Sequence, residues 1–554
     1  MKLSGARIVA QSLVEEGVKV IFGIPGGAIT PFYDVLPEFP LHHVLVRHEQ
    51  AAAHMADGYG RASRDVGVCC ATSGPGAINL VSGIATAYLD SSPVVAITGN
   101  VPTSLIGKDA FQECDITGIT LPITKHNYLV ERVEELPRVM KEAFYLARTG
   151  RPGPVLVDVP KDVLLAETTF KYPDKVDLPG YNPTLQGNVG QIRKAAALIK
   201  GARRPVIIAG QGVLISKAEK ELLRLAETTG IPVITTLLGI GSFPESHPLS
   251  FGLLGLHGMA YANYAVHESD LIVGIGLRFD DRVTGKVQEF APRAKVIHID
   301  IDPAEIGKNV AVTVPIVGDV RNVLERLNQE VQPASHSEWV DQICAWRMKH
   351  PATEVRPSEK LLPQLPIKTI YDVTEGRAIV VADVGQHQMW AAQLYWYDEP
   401  NTFITSGGMG TMGFALPASI GVKLARPDKE VWVVIGDGGM QMNMQELATA
   451  VQERVDIKIA LINNFCLGMV RQLQDLFYEK NFVATPLSGP DWVKLGEAYG
   501  IPSFRAAAPE EVRPVIEKAR EVKGPVLIEF QVETAENVYP MVVPGRSLGE
   551  VIVG

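Results

Sequence analysis

The chain has 554 residues, 46% hydrophobic and 21% charged, with a formal net charge of −10 and a sequence pI of about 5.7. That is too long for one core at roughly 100–200 residues per domain, and too acidic for a nucleic-acid binder, which presents a basic face. Five cysteines, Cys69, Cys70, Cys114, Cys344 and Cys466, with no CxxC pair argue against a disulfide framework or a zinc site, and predict reduced, mostly buried thiols in a cytoplasmic protein.

The N-terminal stretch MKLSGARIVAQSLVEEGVKVIFG predicts an amphipathic helix running into a strand, with no signal or transit peptide. No apolar run reaches the ~18–20 residues of a membrane span. Short apolar strands then alternate with helical patterns: VKVIFGI (18–24), VGVCCAT (66–72), PVVAITG (93–99) and GPVLVDV (153–159), with HEQAAAHMADGYGRAS (48–63) as a helix among them. This is the alternation of parallel α/β units. The polar, Pro- and Gly-containing stretch of about 166–190 predicts a linker. A second α/β block, about 190–332, carries the strands RPVIIAG (204–210), IPVITTL (231–237), LIVGIG (271–276) and KVIHIDID (295–302). After another proline-bearing stretch with a short helix around Trp339–Trp346, a third block covers 367–554, with strands AIVVADV (378–384), EVWVVIG (430–436), IKIALIN (457–463) and PVLIEFQ (525–531). The expected fold is therefore α/β, three consecutive doubly wound parallel-sheet domains over 1–165, 190–332 and 367–554, with no short tandem repeat.

The third block holds the strongest constellation. Gly436-Asp437-Gly438-Gly439 ends one strand, and Asn463-Asn464 ends the next, with 24 residues between Gly438 and Asn463. Parallel strands put both ends at one carboxyl edge, where ligands bind. A carboxylate beside an amide oxygen suits Mg²⁺ shared with phosphates, and the glycines let backbone N–H groups approach an anion. A rival fits the same block: Gly408-Met409-Gly410-Thr411-Met412-Gly413 matches GxGxxG after the strand-like run NTFITS, and Asp437 could bind a ribose. That dinucleotide reading leaves Asn463-Asn464 unexplained and ranks below the diphosphate reading.

Elsewhere the signals are weaker singly. In the first block Gly23-Ile24-Pro25-Gly26-Gly27 follows a strand, Thr72-Ser73-Gly74-Pro75-Gly76 forms a tight turn, and Glu49 opens a helix, where it could serve only the helix dipole. In the second block Gly210-Gln211-Gly212 follows a strand, and Asp300 and Asp302 end another. The run Arg278-Phe279-Asp280-Asp281-Arg282-Val283-Thr284-Gly285 is either a solvated charge cluster or an arginine held by two aspartates as a fork for a carboxylate.

Taken together, these residues resemble the acetohydroxyacid synthases, also called acetolactate synthases, of the thiamine diphosphate enzyme superfamily. GDG with its distant NN resembles the diphosphate signature, and HEQAAAHMADGYGRAS resembles the segment with the activating glutamate. FGIPGGAI, TSGPGA, DAFQE, TKHNYLV, RPGPVLVDVPKDV, RFDDRVTG, GGMGTMG and LGMVRQ follow in the family's order over about 1–545, and RFDDRVTG and LGMVRQ are the specific ones. The resemblance implies a pyrimidine-binding, an FAD-binding and a diphosphate-binding domain, in that order. It implies decarboxylation of pyruvate on thiamine diphosphate and transfer of the two-carbon unit to a second 2-oxoacid, pyruvate or 2-oxobutyrate, giving 2-acetolactate or 2-aceto-2-hydroxybutyrate, the first common step of branched-chain amino-acid biosynthesis.

For single residues, the resemblance implies that Glu49 hydrogen-bonds N1′ of the aminopyrimidine and that Met412 supports the bent cofactor. Gly26, Pro75, Gly385, Gln386, His387, Gln388, Gly410, Gly438, Gly439 and Met469 would surround thiamine diphosphate, with Asp437, Asn464 and the backbone carbonyl of Cys466 holding Mg²⁺. Arg282 would bind the second substrate's carboxylate, with Phe111, Gln112 and Lys161 bordering the channel. A structural FAD would lie along Arg151, Gly210, Gly212, Thr236, Leu237, Gly255, His257, Gly276, Arg278, Asp300, Asp319, Gly407 and Gly408. The partners implied are a second copy of the chain, as a homodimer or a tetramer built from it with Glu49 and Asp437 serving one site from different subunits, and a small regulatory subunit. Where the family usually reads VRQWQ, this chain has Leu473, which removes an aromatic wall beside the second-substrate pocket and predicts pyruvate tolerance and weak binding of aromatic herbicides. Among relatives of other activity, the two specific motifs disfavour a pyruvate oxidase and Glu49 disfavours a glyoxylate carboligase. Intact Glu49, Asp437 and Asn464 disfavour a catalytically silent homologue.

Overall fold

A computed structural model describes residues 2–351 and 354–553. Its frame is three six-stranded sheets, parallel throughout, built from strands between residues 20 and 160, 205 and 317, and 379 and 531. The β-branched runs of the sequence form the central strands, buried on both faces as parallel sheets require: Gly67–Ala71, Val94–Asn100, Pro205–Ala209, Leu271–Ile275, Val431–Gly436 and Ile457–Asn463 are buried along their whole length.

With each sheet's strands counted one to six along the chain, the first and third sheets share the order 2-1-3-4-6-5, and the middle sheet has the order 3-2-1-4-5-6. The latter is the dinucleotide-binding order. In every sheet the strand order reverses beside the first strand, and that crevice at the carboxyl edge is where open α/β sheets take ligands. The residues there are Gly23–Gly27 and Thr72–Gly76 in the first sheet, Gly210–Gly212 and Gly276–Arg278 in the second, and Gly385–His387 and Asp437–Gly439 in the third.

The first and third sheets are joined by the helix pair Glu49–Ser63 and Ala415–Ala425, which lies in one hydrophobic core shared by both. The helices approach so closely that a Cβ on Gly58 would strike Ala418 O, and one on Gly421 would strike Met55 O. Small residues here are a packing requirement.

The structure departs from the sequence reading in three places. The chain starts with a strand, Lys2–Ser4, ahead of helix Gly5–Glu15, and its antiparallel partner Glu167–Thr169 lies inside the expected linker. The rest of that linker runs irregularly to Asn188 and is tacked down by Tyr172, which donates to Glu16 at 2.9 Å, and Tyr181, which donates to Thr149 O at 2.8 Å. Five short strands went unassigned: His42–Leu45, His126–Leu129, Ser250–Leu253, Val314–Val317 and Ser503–Ala506. The C-terminal segment leaves the third sheet and docks on the middle one: Val542 N donates to Leu256 O at 2.7 Å, and Leu548 is buried in the middle sheet's core. Among the described residues, no helix is long and apolar enough to cross a membrane.

Candidate active site

The predicted residues gather into three places. The first is a cluster at the carboxyl edge of the first sheet. His48 caps the helix that begins at Glu49, its Nδ1 accepting from Gln50 N at 3.2 Å, so Glu49 occupies the first turn. Asn79, a residue the sequence did not single out, donates its side-chain N–H to Glu49 Oε2 at 3.0 Å. Gly76 faces the other carboxylate oxygen, Gly26 packs on Thr72, and Gly74, beside Pro75, packs on the backbone of Gln112. Gln112 has φ 60°, a left-handed conformation that turns the loop sharply after Phe111. Phe111 itself is 86% exposed. Lys161 starts the short helix Lys161–Leu165 directly after strand Val155–Pro160.

The second place is a small cavity of about 60 Å³ at the edge of the third sheet, lined by Gly385, Gln386, His387, Met412, Asp437, Gly438, Gly439, Asn464, Cys466 and Met469. Asp437 is buried with no ion-pair partner among the described residues, and burial pushes its carboxyl up to about 7. Such a group calls for a cation. Asn464 is held by its neighbours: its side chain donates to Gln386 Oε1 at 3.3 Å and accepts from Cys466 N at 3.3 Å. Burial keeps His387 neutral, with a pKa lowered to about 3, and its Nε2 is buried without a partner. A Cβ on Gly439 would strike the buried Asp383 carboxylate, so that position requires the bare backbone, while one on Gly438 would press on the side-chain ends of Leu467 and Met412. The donors available are a carboxylate, an amide and a backbone carbonyl, an all-oxygen set that fits Mg²⁺.

The third place is a cavity of about 620 Å³ where all three blocks meet. Of the residues assigned to FAD, Arg151, Gly212, Thr236, Leu237, His257, Gly276, Arg278, Asp300, Asp319, Gly407 and Gly408 line it. Gly210 and Gly255 stand just behind the wall, where a Cβ would strike Gly276 O and Arg282 O respectively. Gln388, Gly410, Met469, Leu473 and Arg282 line the same space. Val384 and Met469 border both cavities, so the large one opens beside the small one. The sequence reading missed Glu305, which accepts from Arg151 at 2.7 Å through one oxygen while the other is buried without a partner. Burial raises Asp300 to about 7 and lowers His257 to about 4, and His257 Nδ1 also lacks a partner. Unpartnered buried polar atoms around a large cavity fit a polar ligand of cofactor size.

The charge cluster is organised differently from an arginine between two aspartates. Arg278 pairs with Asp280 at 3.2 Å and Arg282 with Asp281 at 3.4 Å, while Asp280 also caps the helix Asp281–Thr284 through the N–H groups of Arg282 and Val283. The cap occupies Asp280, and Arg282 stands at the cavity rim, its side chain 69% exposed.

Glu49, Gly26, Pro75, Phe111, Gln112 and Lys161 line neither cavity. Within a single chain the Glu49 cluster thus lies outside the cavity that holds Asp437.

Family models match the chain in three successive parts: the N-terminal thiamine pyrophosphate-binding domain of thiamine pyrophosphate enzymes over residues 3–119, their central domain over 192–327, and their C-terminal thiamine pyrophosphate-binding domain over 383–530. The acetolactate synthase large subunit of Corynebacterium glutamicum is 51% identical, over 99% of this chain and 90% of its own length. A probable acetolactate synthase large subunit of Methanocaldococcus jannaschii is 49% identical, over 99% and 95%. The isozyme 3 large subunit of Escherichia coli is 45% identical, over 99% and 98%. The chain belongs to the acetolactate synthase family of thiamine diphosphate-dependent enzymes. The three sheets and their order along the chain are those that the family resemblance implies.

Proposed function

We propose that this chain is the catalytic subunit of a biosynthetic acetolactate synthase that takes thiamine diphosphate, Mg²⁺ and FAD. The observation carrying this reading is the pairing of a buried, unpaired Asp437 with Asn464 at neighbouring strand ends, in a glycine-lined crevice that shares a wall with a cofactor-sized cavity. Bound thiamine diphosphate supplies the electron sink for losing CO₂ from pyruvate and the carbon nucleophile that joins a second 2-oxoacid.

The protein's part is binding, orientation and proton placement. Asp437, Asn464 and the Cys466 carbonyl hold Mg²⁺ against the diphosphate, and the bare backbone of Gly438 and Gly439 allows the close approach. Gln386 and Gln388, each hydrogen-bonded at its own amide, fix the pocket floor beside Gly385 and His387. Glu49, oriented by Asn79, holds a proton at N1′ of the aminopyrimidine. Met412 lies against the Gly438 turn, where it props the cofactor. Arg282 at the cavity rim receives the carboxylate of the second 2-oxoacid, pyruvate or 2-oxobutyrate, next to Leu473. The eleven lining residues from Arg151 to Gly408 hold FAD, which has no electrons to move in this reaction.

On this reading residues 1–165 bind the pyrimidine, 190–332 bind FAD and 367–554 bind the diphosphate. The separation of the two clusters and the exposed Phe111 support a homodimer, or a tetramer built from two such dimers, in which Glu49 of one subunit faces Asp437 of the other. The large-subunit names of the relatives support a small regulatory partner, and the free cysteines support a cytoplasmic setting. The test is acetolactate formation from pyruvate, with each cofactor omitted in turn and with Glu49→Gln. Turnover that needs thiamine diphosphate, Mg²⁺ and FAD and collapses in the variant is expected; no acetolactate from the fully loaded wild type would overturn the proposal.

A further inference from the structure

A loop of the third block, Gly407–Gly413, carries Met412 and borders the large cavity, yet it is held from the first block. Asp90, fully buried at the end of helix Val81–Leu89, accepts from Gly408 N at 2.6 Å and from Gly407 N at 3.1 Å. Its Oδ2 also accepts from Arg61 at 2.8 Å. Arg61 in turn grips Asp57 at 2.6 and 2.8 Å and donates to the carbonyl of Thr405, just ahead of the loop, at 2.7 Å. Midway along the loop, Thr411 meets Thr86 of the same first-block helix, hydroxyl to hydroxyl, at 2.7 Å. At the far end, Asp383 accepts from Gly413 N at 2.9 Å and Ala415 N at 2.8 Å. The next residue after Asp90, Ser91, accepts from Arg151 at 2.9 Å and lines the large cavity.

The charge balance explains why these contacts are obligatory. One buried guanidinium lies between two buried carboxylates, so a full negative charge is left over. A buried charge persists only when hydrogen bonds satisfy it. The two glycine N–H groups do this for Asp90, and the loop backbone is thereby locked to the helix that ends there. The fit is close: a Cβ on Gly408 would lie 2.9 Å from both Asp90 Oδ1 and Leu89 Cβ.

We infer that Asp90 is a positioning residue of the active site, clamping the Gly407–Gly413 loop from the first block so that Met412 sits where the cofactor bends. The inference rests on the role proposed above for Met412. It also joins the two cavities mechanically, since the Asp90-Ser91 turn touches the loop on one side and Arg151 on the other.

Asp90→Asn keeps the shape but turns one acceptor into a donor that faces existing donors, while Arg61 keeps Asp57. The experiment compares hydrogen–deuterium exchange of the wild type and variant holoenzymes, with kcat and KM measured on the same samples. Expected are at least tenfold faster exchange confined to residues 406–413 and a fall in kcat of roughly tenfold to hundredfold, the scale of a small misplacement of reacting groups, with KM for pyruvate little changed. Unchanged exchange in 406–413, or faster exchange with unchanged kcat, would overturn the inference. If Asp90→Asn does not fold, Thr86→Val, which removes only the link to Thr411, carries the same test with a smaller expected effect. The exchange measurement does not depend on activity: a wild type without acetolactate synthase activity would sink the proposed function, whereas unchanged exchange would sink the Asp90 clamp alone.

Discussion

Asn79 donates its side-chain N–H to Glu49 Oε2 at 3.0 Å, across 30 residues of sequence and from the end of the short helix Pro75–Asn79. The bond fixes one carboxylate oxygen and leaves the other facing Gly76. Asn79→Ala is therefore expected to lower kcat by about tenfold while Glu49→Gln lowers it by at least about a hundredfold, the range for losing an acid–base group. Steady-state rates at saturating thiamine diphosphate check the order. Equal losses in the two variants would show that Asn79 contributes more than orientation.

Burial raises the Asp437 carboxyl to about 7 from its ordinary 3.8. The native apo protein then binds this proton more tightly than the unfolded chain does, so the group makes apo stability fall as pH rises from 3.8 to about 7 and level off above. A metal ligand must give up its proton, so Mg²⁺ competes with it. Apparent Mg²⁺ affinity should drop about tenfold between pH 8 and pH 6, and chelation should lower the thermal midpoint more at pH 8 than at pH 6. Mg²⁺ titrations of activity at the two pH values decide it; a flat response would mean that another group controls the metal.

The parts legible in the sequence were those written in consecutive residues. Central strands such as Val431–Gly436 are continuous apolar runs, and the glycines that follow them mark ligand edges directly. The unassigned strands are short and mostly at or near sheet edges, where half-exposed residues such as those of His126–Leu129 and Ser503–Ala506 blur the pattern. Asp90 and Glu305 had no local signal at all: Asp90 meets Gly407 over 317 positions, and Glu305 meets Arg151 over 154. The likeness of the first and third sheets was equally hidden, because a shared strand order needs only matching apolar spacing and no shared residues.

Arg282 offers a separation of stability from function. Its pairing with Asp281 is at the surface, where ion pairs contribute little, and its backbone rather than its side chain serves the Asp280 cap. Arg282→Ala should leave the thermal midpoint within about two degrees of wild type, as surface substitutions do, while KM for the acceptor 2-oxoacid rises at least tenfold. A drop in stability without a KM change would move the carboxylate site elsewhere on the cavity wall, where Arg278 and Arg151 are the other arginines.

On the proposed function, Leu473 would set the acceptor preference. It lines the large cavity, whose aliphatic lining includes Met469, Met541 and Leu254, and a leucine side chain itself offers no rigid flat face. An ethyl group gains contact only from a wall that holds its shape, and one methylene is worth roughly 1–3 kcal/mol at best. The wild type should therefore use pyruvate nearly as well as 2-oxobutyrate as acceptor. Leu473→Trp would supply an aromatic face and should raise the 2-oxobutyrate preference by about tenfold, the lower end of that energy range, together with tighter binding of flat aromatic inhibitors. Competition assays with both 2-oxoacids present, scored by the ratio of the two products, measure the shift. A wild type with strong 2-oxobutyrate preference would show that the aliphatic wall discriminates by itself, and that the tryptophan is not the only way to build the pocket.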